Sequence, residues 1–193
     1  MRFGRLLTLV LVAGLCTCSS APPSTTSELT HLAKHVVRYD GPEIQVRLEY
    51  WWADDYLSKT QLMLKLSLIV DEIRSTVVER DAIKVRSPDG HESSLVDPKE
   101  FQRLYPELLS APNLFDVWGP PPEIFTGVRK NCGRWFLSPP GDFRDNPFLT
   151  VTPGRWCSGP LVFAVPEGVR PGRWVLIIDL EESDVQIPFT LGR

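Results

Sequence analysis

The sequence predicts an all-β fold, an antiparallel sandwich, and three observations point there. Two stretches alternate with period two, the C-terminal third breaks into strands parted by turn residues about every ten positions, and 18 of 193 residues are proline. Alternation puts one face of a strand in a core and the other outside it. Short apolar runs at a regular cadence of turns are the pattern of a sandwich. Proline at roughly twice its average usage works against long helices.

The elements follow in chain order. Residues 1–18 read as an export signal, with Arg2 and Arg5 ahead of the apolar run Leu6 to Leu15. Such a run is too short to cross a bilayer, which takes about 20 apolar residues as a helix. The Ser/Thr/Pro-rich segment 19–30 then reads as a tether, because it lacks the apolar residues that offset the entropy of ordering. A single domain is expected over 31–193, a length that supports one core. Its first piece reads as a short helix carrying His31 and His35, whose spacing brings both imidazoles to one face.

Residues 43–52, EIQVRLEYWW, place Ile44, Val46, Leu48, Tyr50 and Trp52 on one face and Gln45, Arg47, Glu49 and Trp51 on the other. Residues 60–70 repeat the pattern, with Leu62, Leu64, Leu66, Leu68 and Val70 inward and Lys65 and Ser67 outward. Ala53-Asp54-Asp55 supplies turn residues between them, so the two strands are expected to pair as a hairpin with a longer loop. Val77-Val78 and Ile83 to Val85 read as further strands, and Ser87-Pro88-Asp89-Gly90 turns the chain. One helix is expected after Asp97, an N-cap followed by Pro98 at the first helical position and Glu100 at the third, with Pro106 allowing little more than two turns. The remainder of the segment 97–157 is proline-rich, with Pro120-Pro121-Pro122, Pro139-Pro140-Gly141 and Asp145-Asn146-Pro147 as breaks, and reads as an insertion. Leu161 to Val165, Trp174 to Leu180 and Asp184 to Leu191 close the chain as three strands.

Chemistry is scarce. The net charge of −3 gives no field that would recruit nucleic acid. The nucleophile elbow, zinc-protease motif, phosphate-binding loop and dinucleotide fingerprint are all missing from the sequence, so a non-catalytic protein without a cofactor is expected. His91 follows a turn, where a solvated histidine is the plain reading. His31 and His35 could form a two-ligand metal clip, weighed against a simple polar face, and would need a third donor such as Asp40 or His91. Cys132 and Cys157 remain once Cys16 and Cys18 are assigned to the signal, and in an exported chain such a pair reads as one disulfide. Three tryptophans share a triplet, Gly133-Arg134-Trp135, Gly154-Arg155-Trp156 and Gly172-Arg173-Trp174. The structural reading, which suffices for at least the last two because they follow Pro153 and Pro171, is a Pro-Gly turn, an arginine facing water and a ring on the core. The functional reading needs exposed rings, and picks Trp51, Trp118 and Trp135 with Arg47 as a contact surface for a glycan or a partner protein.

Two resemblances add to this. The run ending Leu15-Cys16-Thr17-Cys18-Ser19-Ser20 resembles a bacterial lipoprotein signal, which implies lipidation at Cys18; simple cleavage after Ser20 or Ala21 is the alternative. The strands and turns of 43–90 and 158–191, with Pro166-Glu167-Gly168 between an apolar strand and one opening on an aromatic, resemble the immunoglobulin-like domains of bacterial envelope lipoproteins. The resemblance implies a sandwich of about seven strands in an exported, membrane-anchored protein held only by its N-terminal lipid. It implies no reaction. An interaction or structural module of the cell envelope is the leading expectation. A glycan- or small-ligand-binding module and a weak metal-handling protein are the alternatives.

Overall fold

The computed structural model of the chain describes residues 27–55, 57, 59–70, 74–109, 130–141 and 146–192. The signal with Cys18, most of the tether, and Trp118 lie outside the described residues. The described residues are mostly strand. Strands β1 (Glu28–Ala33), β2 (Val36–Asp40), β3 (Gln45–Glu49) and β4 (Gln61–Ile69) form an antiparallel meander. β10 (Arg155–Ala164) continues it antiparallel to β4, and the two-residue β8 (Lys130–Asn131) adds to β10 in parallel. A second sheet has the order β12 (Asp184–Leu191), β11 (Gly172–Asp179), β6 (Ile83–Arg86), β7 (Glu92–Ser94). β5 (Thr76–Glu79) and β9 (Phe148–Val151) make a two-stranded ribbon, where Val77 and Phe148 are exposed.

Alternation explains the core. Val37 and Tyr39 of β2, Val46 and Leu48 of β3, Leu62 to Leu68 of β4 at every second position, and Leu161 and Phe163 of β10 share one face. All join a single buried cluster with Ile83 and Val85, Trp174, Leu176 and Ile178, and Val185, Ile187, Phe189 and Leu191 of the second sheet. The expected pairing of 43–52 with 60–70 is present, Gln45 opposite Ile69 and Glu49 opposite Lys65.

Several expectations need correction. His31 and His35 lie on no helix: His31 is on β1, and His35 is in the turn to β2. The segment finds a neighbour in Val36–Asp40, and ladder hydrogen bonds to it outweigh the local helical spacing. The tether is shorter than expected, since strand begins at Glu28. Residues Trp51–Asp55 form a short helix, α1, packed on β4 rather than a turn. The helix α2 (Pro98–Leu109) starts as predicted, with the amides of Lys99 and Glu100 donating to Asp97 Oδ1 at 2.8 and 2.9 Å. It runs through Pro106, because Phe101, Leu104 and Leu108 bury one stripe on both sides of the proline. Among the described residues twelve strands stand where about seven were expected, and the segment 97–157 supplies β8, β9 and the first part of β10. Short pieces such as Phe148–Val151 become strands only through the partner they meet.

The outward faces of the central strands are also covered. Lys65 is 4% exposed and Ser67 0%, beside Arg47 at 4%. Ser67 Oγ and Ser158 Oγ are hydrogen-bonded across the strands at 2.8 Å. Among the described residues, no helix is long and apolar enough to cross a membrane.

Candidate functional site

A cleft of about 500 Å³ lies between the β1–β2 hairpin and the β11–β12 pair. His31, Lys34 and His35 line it from the hairpin, Tyr50 and Asp54 from around α1, and Arg173, Pro188, Phe189 and Thr190 from the second sheet. Tyr50 straps the hairpin turn: its amide donates to the His35 carbonyl at 3.0 Å and its hydroxyl to the Lys34 carbonyl at 2.8 Å. Its ring meets His35 edge-on at 5.4 Å and leans on Phe189 at 5.1 Å.

Asp54 ties three elements together. One carboxylate oxygen lies 2.8 Å from His35 Nε2, and the other accepts the Gly192 amide at 2.8 Å. The first turn of sequence, α1 and the end of β12 are thereby fixed around the cleft. Arg173 sits directly opposite Thr190 in the β11–β12 register, which brings both to the same outward face. Among the described residues, the side chains of Lys34 and Arg173 form no ion pair or hydrogen bond. The wall thus offers two uncommitted cations, two imidazoles and one carboxylate already shared with His35. Cations at the rim of a partly apolar cleft favour an anion.

The residues singled out from sequence scatter. Cys132 and Cys157 are joined as a disulfide, with Cα atoms 5.1 Å apart, tying the β8 end to β10. Trp135, expected as an exposed ring, is buried at 5% exposure, and its indole N–H donates to the Pro160 carbonyl at 2.6 Å. Arg47 is buried as well, 3.4 Å from Glu49, because the outward face of β3 is covered. Neither presents a contact surface. Trp51 is half-buried and stacks on Trp52 at 3.8 Å, so one of its ring faces is occupied. The structural reading of the Gly-Arg-Trp triplets fits better. Gly133, Gly154 and Gly172 all have positive φ, their arginines are exposed, and Trp135 and Trp174 are buried.

His31 and His35 line one cleft but do not gather with a third donor into a metal-ligand group among the described residues. The sequence reading missed Asp54, read as a turn residue between two strands, and Lys34, Tyr50 and Arg173 as cleft residues. No local signal marks them. His35 and Asp54 are brought together by the hairpin and by a helix that the alternation of 43–52 disguised as strand.

No protein-family model matches the sequence, and no curated protein matches it. Among solved structures the chain is similar to the yjhA protein from Bacillus subtilis, at 12% identity and a TM-score of 0.38, covering 86% of this chain and 96% of that one. At that level of likeness the residues themselves carry the functional argument.

Proposed function

We propose that this chain is a non-catalytic binding module of the cell envelope, an immunoglobulin-like sandwich exported and anchored through a lipid on Cys18. Its contact site is the cleft between the β1–β2 hairpin and the β11–β12 pair. The ligand is a small anion, or the acidic group of an envelope glycan or protein, with a flat part to lie on Pro188 and the edges of Tyr50 and Phe189. One observation carries this reading: among the described residues, Lys34 and Arg173 stand without an ion pair or hydrogen bond on opposite walls of a cleft of about 500 Å³. Charge-assisted hydrogen bonds from both would hold a carboxylate or phosphate.

Amide chemical-shift titration with glucuronate, glucose and inorganic phosphate tests the proposal. Saturable shifts are expected at His35, Arg173 and Thr190 with the two anions and not with glucose. The pair Lys34→Ala and Arg173→Ala should weaken binding at least tenfold, with the melting temperature held within about 2 °C because both side chains are exposed. Added salt should weaken binding in the wild type. Equal affinity for glucose and glucuronate, or for wild type and the double variant, would overturn the assignment.

A further inference from the structure

A second cleft, of about 220 Å³, opens where two tight turns meet at the β6–β7 and β10–β11 connections. The first turn is held by its own hydrogen bonds. Gly90, with φ +90°, donates its amide to the Ser87 carbonyl, the Ser87 amide donates to the His91 carbonyl at 2.9 Å, and the His91 amide donates to Ser87 Oγ at 3.1 Å. Asp89 and His91 therefore project from a fixed frame. In the second turn Gly168, with φ +84°, donates to the Val165 carbonyl at 2.9 Å, which fixes Glu167. Trp174 closes the base, its indole N–H donating to the Arg170 carbonyl at 2.9 Å.

The two turns bring an imidazole nitrogen and two carboxylate oxygens, from Asp89, His91 and Glu167, within 4.8 Å of one another. His91 Nε2 and Glu167 Oε1 are 4.0 Å apart. Donors around a zinc ion stand roughly 3.3 Å apart, given metal–ligand distances near 2.0–2.1 Å. All three side chains are exposed and can close the difference by small rotations. Arg170 now pairs with both carboxylates, its guanidinium 3.2 Å from Asp89 Oδ2 and 3.5 Å from Glu167, while Ser87 Oγ donates to the other Asp89 oxygen, Oδ1, at 2.5 Å. The Arg170 side chain is 55% exposed, so it can leave for water at little cost.

We infer that Asp89, His91 and Glu167 form a binding site for a divalent transition-metal ion, with Arg170 as a resident cation that the metal displaces. One nitrogen and two oxygens suit zinc, manganese, cobalt or nickel, and the imidazole disfavours calcium. Water would fill the open positions. The inference is independent of the anion cleft, which shares none of these residues.

Calorimetry of the full mature chain with zinc chloride, and proton NMR with manganese chloride, test it. One zinc per chain is expected, with manganese broadening the Trp174 indole resonance selectively. His91→Ala should weaken zinc binding at least tenfold. Arg170→Ala should tighten it several-fold, an effect that general surface adsorption would not produce. Zinc should also raise the melting temperature, since it clamps two turns. No measurable heat overturns the inference, and so does equal affinity in wild type and His91→Ala. Uptake that persists in His91→Ala and disappears in His31→Ala/His35→Ala would place the metal at the hairpin and overturn it too.

Discussion

Gly159 lies on the inward face of β10, and a Cβ there would come within 2.4–2.6 Å of the Trp135 ring. The ring has little room to yield. Its N–H is spent on the Pro160 carbonyl, and its own carbonyl accepts from Asn146 Nδ2 at 2.8 Å. Gly159→Ala should therefore cost about 1–3 kcal/mol, the usual range for overpacking a filled core. In a Trp135→Ala background the same change should cost less than about 0.5 kcal/mol, because the Cγ and Cδ atoms it strikes are gone. Urea denaturation of the four proteins measures the coupling, and additive costs would show that the contact is not what forbids a side chain. The sequence foretold part of this. The triplet Gly133-Arg134-Trp135 marked the turn glycine, which is present, but Trp135 itself was expected as an exposed contact ring and is packed instead. It did not reveal that the ring would seat on a glycine 24 positions later, since that depends on which strand the loop crosses.

Strands explain a second limit of the sequence reading. Alternation in β3 and β4 correctly separated their two faces, and the two strands pair as expected. It could not say that the polar face is covered. Arg47 lies 3.4 Å from Glu49, and Lys65 lies 3.9 Å from the same carboxylate oxygen, all nearly sealed from water. Burial pushes the Arg47 pKa down and the Glu49 charge pulls it back up, so the arginine is held charged at a desolvation cost. Such a cluster contributes little net stability but punishes any single loss. Glu49→Gln should destabilise by about 3–5 kcal/mol, because it leaves two cations close together in a dry place. Replacing all three at once, by Arg47→Met, Glu49→Leu and Lys65→Met, should leave stability near or above that of the wild type. Denaturation midpoints at unchanged m-value distinguish the cases. A triple variant as damaged as Glu49→Gln would mean that the charges hold the sheets in register. The same covering explains why Arg47 failed as a contact residue. The N-terminal hairpin was less legible than β3 and β4, because mixed residues such as Thr30-His31-Leu32 take their conformation from the strand they pair with.

At the scale of the whole molecule, one cross-link joins the proline-rich segment to the central sheet. β8 contributes only two residue pairs to β10, Lys130 with Arg155 and Asn131 with Trp156, a ladder too short to hold itself. Cys132 follows at once, its amide donating to the Trp156 carbonyl at 2.8 Å and its sulfur bonded to Cys157, which is fully buried. A separation of 25 residues gives an entropic stabilisation of about 3 kcal/mol in the chain-entropy model. For a chain of this size that corresponds to a fall of about 6–12 °C in melting temperature on reduction. Thermal denaturation of the oxidised protein, the protein in excess dithiothreitol, and Cys132→Ala/Cys157→Ala measures it. The reduced protein and the double variant should agree, and hydrogen exchange should quicken over residues 130–141 before the β4–β10 ladder opens. Such dependence is what a fold assembled in an oxidising compartment can rely on and one assembled in the cytosol cannot. Coincident melting with and without reductant would remove the energetic reason for export, and the proposed envelope location would then rest only on the export signal expected from the sequence of residues 1–18.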